Sequence, residues 1–364
     1  MTSNAKKTKS SERAALMLSV FFFVLLFWYP KEALAGVREG LTLCGNVLIP
    51  ALFPFLALTA FLGRTRAGVL LCKPFAWLFS RIFRIPKSAV FALIMGFTGG
   101  YPAGAAAIQT LYRRGELSQK TAFRMVLFCT NAGPAFVISA IGGAMLQNKT
   151  AGLYLWISSS LSSLIIGVIL GLFSEKEPIL IKNGPTAIQR ESLADSFVIS
   201  VADSCEIMLK ICAFTLLFSA FLTLIRPFAG TRGSDILALF IEVSRGSLAA
   251  SNLPNSLLWL GFAISFGGLC VHVQVFSIGK AFILRPLVFV LIRLGGGLLS
   301  MLTVSLLFRF FPLSSPVFMS VSKPVPALST NIFASLTLLS MCVFVLVLFN
   351  KPLEKNPHGV QGGQ

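Results

Sequence analysis

Two apolar stretches of this chain are interrupted by paired glycines, at Gly99-Gly100-Tyr101-Pro102-Ala103-Gly104 and at Gly267-Gly268-Leu269-Cys270-Val271-His272. A helix broken inside a bilayer exposes backbone groups that lipid cannot satisfy. Such breaks persist only where they are buried in protein or line a polar cavity. A matched pair of interrupted segments, one in each half of a membrane chain, marks a solute site near the bilayer midplane. Both breaks lie in a chain of 364 residues that is 55% hydrophobic and 12% charged, with mean hydropathy +0.82. Soluble domains carry roughly 25% charged residues, so the composition specifies an all-α polytopic membrane protein.

The net charge of +18 does not argue for nucleic acid, because the basic residues cluster in short loops and set topology. The seven cysteines form no Cys-x-x-Cys pair and no cluster with histidine, so neither a disulfide framework nor a metal site is expected. No cofactor is implied. Nucleophile-elbow, zinc-protease and Walker signatures are missing, which argues against an enzyme and assigns no catalytic residue.

Spans of about 20 apolar residues are expected at 14–30, 41–62, 121–146, 151–173, 197–225, 284–309 and 330–349. The stretches 88–112 and 256–280 read as re-entrant hairpins, each entering and leaving on one side. Lys6, Lys7, Lys9 and Arg13 precede the first span and place the N-terminus in the cytoplasm. Ala33-Leu34-Ala35 resembles a signal-peptidase site, but the apolar run before it is long and aromatic, and a retained helix is expected. A balanced loop at 31–40 is followed by basic loops on both sides of 88–112. Both ends of that stretch therefore face the cytoplasm. The implied organisation is an N-terminal segment (1–40), a first repeat with a linking helix (41–173), a linker loop (174–196), an inverted second repeat (197–309) and a C-terminal helix with a polar tail (310–364). Each repeat would contain a helix, an amphipathic segment (67–84 and 235–250), a glycine-broken hairpin and a discontinuous helix, with Gly99-Gly100 matching Gly267-Gly268.

Candidate solute-binding residues follow from this plan. Thr98, Gly99, Gly100, Tyr101 and Pro102 form the first tip, where Pro102 suits the first turn of a half-helix whose free amides attract anions. Pro134 opens the next helix and frees backbone groups beside Thr130 and Asn131. Glu206 and Lys210 lie four apart on an apolar helix, and intramembrane charges mark pathways or pair with one another. Glu242 and Ser244 lie in the second amphipathic segment, Gly267 and Gly268 form the second break, and His272 and Gln274 follow it. Arg293 sits in mid-helix as an anion partner or a snorkelling side chain.

The motifs Ile49-Pro-Ala-Leu-Phe-Pro-Phe55, Gly96-Phe-Thr-Gly-Gly-Tyr-Pro-Ala-Gly104, Leu127-Phe-Cys-Thr-Asn-Ala-Gly-Pro134, Leu239-Phe-Ile-Glu-Val-Ser-Arg-Gly246 and Phe266-Gly-Gly-Leu-Cys-Val-His-Val-Gln274, in that order, resemble the YlbJ-type sporulation integral membrane proteins. Those are part of the wider nucleoside-recognition, or Gate, group, which includes the membrane part of ferrous iron transporters. The resemblance implies a multi-pass membrane protein of spore formation, placed in the cell membrane or the outer forespore membrane. It also implies a small anionic solute, with dipicolinate as candidate. The rival expectations are a scaffold that recruits sporulation proteins through its basic loop 63–87, and a nucleoside or metal-ion permease. Homo-oligomers and other sporulation membrane proteins are the partners to expect.

Overall fold

The computed structural model describes residues 16–174, apart from position 18, and 192–312. The basic N-terminus, most of the linker 174–196, and the span and tail after 312 lie outside the described residues. Every regular element among those described is helical, and five helical stretches are long and apolar enough to cross a membrane.

The chain opens with α1 (Ser19–Trp28) and α2 (Pro30–Leu43), separated only by Tyr29. The segment 31–40, expected as a loop, is instead helical. The reversal falls at Tyr29 and Pro30, since proline supplies a ready first helical turn. Phe22 packs on Phe221 and Tyr29 on Phe228, so α1 runs parallel to that part of α9. The helix beginning at Pro30 then runs back: Gly36 abuts Ala220, Gly40 abuts Leu216 and Phe61 abuts Phe197. A Cβ on Gly36 would stand 2.7 Å from the Ala220 Cα. This is the small-residue contact by which membrane helices approach closely. The helix passes through a π-helical turn, Cys44–Leu48, into α3 (Ile49–Arg64).

α4 (Arg66–Phe83) is amphipathic, with Phe75, Trp77 and Ile82 exposed. α5 (Val90–Gly99) and α6 (Tyr101–Arg113) meet at Gly100. The turn that precedes α5 touches α6, so this pair is a hairpin, as expected. α7 (Gln119–Cys129) stops before Thr130, and the helix resumes in π form at Ala135–Met145. α8 (Lys149–Leu172) follows.

α9 (Leu193–Ile241) is two helices merged across a kink at Gly230, whose φ of 66° and ψ of 176° leave the helical region. The second part, 231–241, meets α10 (Val243–Ser251) at Glu242, where the backbone is extended. α11 (Ser256–Phe266) and α12 (Gly268–Gly279) meet at Gly267, and α13 (Pro286–Phe310) closes the described chain. Serines of α8 pack on the small residues of α13; Ser158 Oγ donates to the Ser300 carbonyl at 3.1 Å.

Two expectations about the second half are corrected by these contacts. The stretch 256–280 is not a hairpin. Gly261 packs on Val304, near the end of α13, whereas His272 and Phe276 pack on Phe289, near its start. α11 and α12 together therefore run antiparallel to α13 and cross the layer, with Gly267 as an interruption. The second hairpin is instead 231–251, with Glu242 at its tip, in the place expected for an amphipathic helix. Gly104, four residues beyond the Gly100 tip, lies against Gly96, and Gly246, four residues beyond Glu242, lies against Ala238 and Leu239.

The repeat is thus a long helix, a hairpin, a broken helix and a final helix. Its members are 30–64 and 193–229, 90–113 and 231–251, 119–145 and 256–279, and α8 and α13. Gly100 corresponds to Glu242, and the break at 130–134 corresponds to Gly267-Gly268. α4 has no counterpart. The repeats are inverted, because α3 and α9 run antiparallel and Arg64 meets Asp203 at 2.6 Å.

Candidate functional site

Each hairpin tip rests against the break of its own repeat. A Cβ on Gly133 would stand 3.1 Å from the Gly100 nitrogen, and one on Gly268 would stand 3.1 Å from the Ile241 carbonyl. Gly100 has φ 91° and Gly268 has φ 72°, a region that residues with a Cβ enter only at a cost. A methyl at either place would press on the facing backbone, which would have to give by a few tenths of an ångström.

Both hairpin tips, the first helix break and the helix that follows the second break line a cavity of about 50 Å³, room for a few water molecules. Its walls repeat the internal symmetry. Gly99, Gly100, Tyr101 and Pro102 come from one tip and Glu242, Val243 and Ser244 from the other. Gly133 and Phe136 come from one broken helix, with Cys270, Val271 and Gln274 from the other. Leu48 and Phe136 each belong to a π-helical segment, a form that is frequent at functional sites.

Charge is distributed unevenly. α6 and α12 begin at the breaks without side-chain caps, so both present a positive dipole end there. α10 differs. The Glu242 carboxylate accepts from the Ser244 nitrogen at 3.1 Å and the Arg245 nitrogen at 2.7 Å, capping its own half-helix. Glu242 is 1% exposed and is the one acidic side chain lining the cavity.

The two sides of the cavity are unequal. Leu56 also lines a second cavity of about 230 Å³, bounded by α3, the start of α9 and the first hairpin, with Ala103, Arg114 and the Arg64–Asp203 pair in its wall. On the other side, Arg245 donates to the Ser219 carbonyl and to Thr223 Oγ1, and pairs with Glu39 at 2.7 Å. Ala103 and Arg245 each stand three residues beyond a tip. The arginine fills on one side the space that the alanine leaves open on the other.

Of the residues singled out from sequence, Gly99, Gly100, Tyr101, Pro102, Glu242, Ser244 and Gln274 line the central cavity. Gly267 and Gly268 shape it without lining it. Thr98 and Thr130 bond back to Ile94 and Val126, and Asn131 Nδ2 donates to Ser160 at 3.3 Å. Thr98 belongs to α5, and Thr130, Asn131 and Pro134 belong to the first broken helix; none of the four lines the cavity. Glu206 and Lys210 pair with each other at 2.5 Å on an exposed face, so a self-neutralised pair is the structural outcome. His272 is buried off the cavity, its Nε2 bonded to the Phe266 carbonyl at 2.9 Å. Arg293 is also buried, standing over the Tyr101 ring. Gly133, Cys270 and Thr215 line the cavity without having been singled out. Gly133 alone carried a signal, its place between the helix-opening Asn131 and Pro134. Among the described residues no cluster of histidine, cysteine and acidic side chains is arranged to hold a metal ion.

A family model described as nucleoside recognition, Gate, matches residues 47–149, which span α3 through the first hairpin and the first broken helix. The chain is 26% identical over 343 residues to the sporulation integral membrane protein YlbJ of Bacillus subtilis (strain 168), covering 81% of this chain and 83% of that protein. No solved structure matches. The chain is therefore similar to Gate-domain membrane proteins and to YlbJ, as its five motifs implied.

Proposed function

We propose that this protein is a secondary transporter that moves a small anionic metabolite through the central cavity by alternating access. The observation that carries the reading is the convergence of two inverted hairpin tips and the segments around two helix breaks on one central cavity. Broken membrane helices persist where they are buried in protein or line a polar cavity, and in transporters they form the solute site. The uncapped starts of α6 and α12 offer amide donors to a carboxylate. Dipicolinate, a small aromatic dianion, is the candidate solute, supported by the similarity to a sporulation membrane protein and by this chemistry. The same similarity supports a place in the cell membrane or outer forespore membrane, with the face bearing Arg64, Arg84 and Arg114 cytoplasmic.

In this reading the structure is closed around the site and nearer to opening on the basic face. A cavity of about 50 Å³ holds waters but no aromatic dianion, so entry requires the first tip to withdraw toward the larger vestibule. Exit on the opposite face requires the second hairpin to release Glu39 and Thr223. The similarity favours a transporter over an enzyme.

The test is dipicolinate uptake into proteoliposomes containing the purified protein, with Gly100→Leu as comparison. Saturable uptake that the variant loses supports the reading. Absence of uptake by correctly inserted wild-type protein contradicts it and favours the scaffold.

A further inference from the structure

Arg293 is 2% exposed, and its Nη2 has no hydrogen-bond partner. No carboxylate pairs with it among the described residues. The guanidinium stands over the face of Tyr101, its carbon 5.8 Å from the ring centroid. A buried cation without a counter-charge is strongly unfavourable. The neighbouring backbone does not relieve it. Tyr101 opens α6 and packs against Gly267, where α12 begins, and both helix starts carry partial positive charge. Glu242, the acid that lines the cavity, is committed to the amides of Ser244 and Arg245. The Ser265 hydroxyl, which lies near Gly296, one turn along α13 from Arg293, is also buried without a partner. Positive groups and a spare donor therefore gather around the Gly267 break with no anion to receive them.

We propose that Arg293 is the anion-binding charge of the transport site, pairing with a carboxylate of the solute when Tyr101 swings aside. Tyr101 is the group that connects the two places: its side of α6 lines the central cavity, and its ring carries the arginine. Its hydroxyl donates to the Ile264 carbonyl just before the break, which fixes the ring in the closed position. A planar guanidinium receives a carboxylate through two parallel hydrogen bonds. This inference rests on the reading of an anionic solute.

The test compares wild type, Arg293→Met and Arg293→Lys as full-length protein in detergent, in a zwitterionic HEPES buffer that contains no carboxylate and no added chloride. Without added ligand, Arg293→Met melts above wild type, because an uncompensated charge has been removed; a structural arginine would make it melt lower. Dipicolinate raises the wild-type melting temperature, and its neutral diamide does not. Arg293→Met shows no shift, and Arg293→Lys binds on the order of tenfold more weakly than wild type. The subsite is overturned, with the transporter intact, if Arg293→Met takes up and binds dipicolinate as wild type does. Stabilisation by chloride with no added effect of dipicolinate overturns its assignment to the solute. Failure of wild type to take up dipicolinate removes the anionic reading and the subsite together.

Discussion

The Arg245 guanidinium meets the Glu39 carboxylate at 2.7 Å and ties the second hairpin to α2. The equivalent position of the first hairpin is Ala103, which cannot make such a tie and instead lines the second, larger cavity. One difference across an internal symmetry thus leaves the second hairpin tied to α2 through its side chain and the first hairpin without that tie.

Arg245→Ala should loosen the second hairpin while leaving the fold intact. The ion pair is partly exposed, with Glu39 at 48%, so the loss of stability should be small, about 1 kcal/mol or less. Amide hydrogen exchange in Val243–Ser251 should accelerate, while exchange in α5 and α6 stays unchanged. Equal acceleration in both hairpins would contradict the latch.

Gly133→Ala and Gly268→Ala should behave alike, because each glycine receives the tip of its own hairpin. The new methyl would meet the Gly100 backbone in one case and the Ile241 carbonyl in the other, at 3.1 Å. Each should cost about 1–3 kcal/mol, from crowding at Gly133 and from positive φ as well at Gly268. Melting temperature and uptake should fall together in both. A neutral result at either position would show that its tip is free to retreat without consequence.

Glu242 has two roles that substitution can separate. Glu242→Ala removes the cap of α10 at about 1 kcal/mol, together with the cavity's one carboxylate. Glu242→Gln retains an acceptor for one amide and loses the charge. Uptake should be abolished by the alanine and strongly reduced by the glutamine, with the melting temperature of the glutamine variant closer to wild type. Full uptake by Glu242→Gln would show that the charge has no part in transport.

Glu206 and Lys210 give the opposite expectation. Their pair is exposed and satisfied internally, and neither lines a cavity described here. Replacing both with alanine should leave the uptake rate and its half-saturating concentration unchanged.

The sequence announces some of these features and hides others for identifiable reasons. Gly99-Gly100 followed by Pro102 is a strong break signal, and the first hairpin was expected where it occurs. The second tip carries no glycine. It turns through an extended Glu242 that caps the following helix, a device that reads in sequence as a charge on an amphipathic segment. The Gly267-Gly268 pair then looked like the missing tip, which displaced the repeat alignment by one element. An acidic residue two and three positions before amides that need acceptors is an N-cap pattern, and it was the available clue. The helical character of 31–40 was obscured by balanced charge. Leu48 and Phe136 line the cavity from π-helical segments, and no residue type marks such a segment. Ordinary apolar residues such as Thr215's neighbour Ile211 gave no signal of their own.

Cys270 provides the most direct test of alternating access, because this native thiol is 1% exposed and lines the central cavity. The measurement is its rate of alkylation by a membrane-impermeant maleimide in sealed, oriented proteoliposomes, read by peptide mass spectrometry with reagent added to one face at a time. Alternating access predicts labelling from both faces, faster from the basic face, and slowed on both by saturating dipicolinate. Labelling from neither face, or at rates that dipicolinate leaves unchanged, would contradict the account.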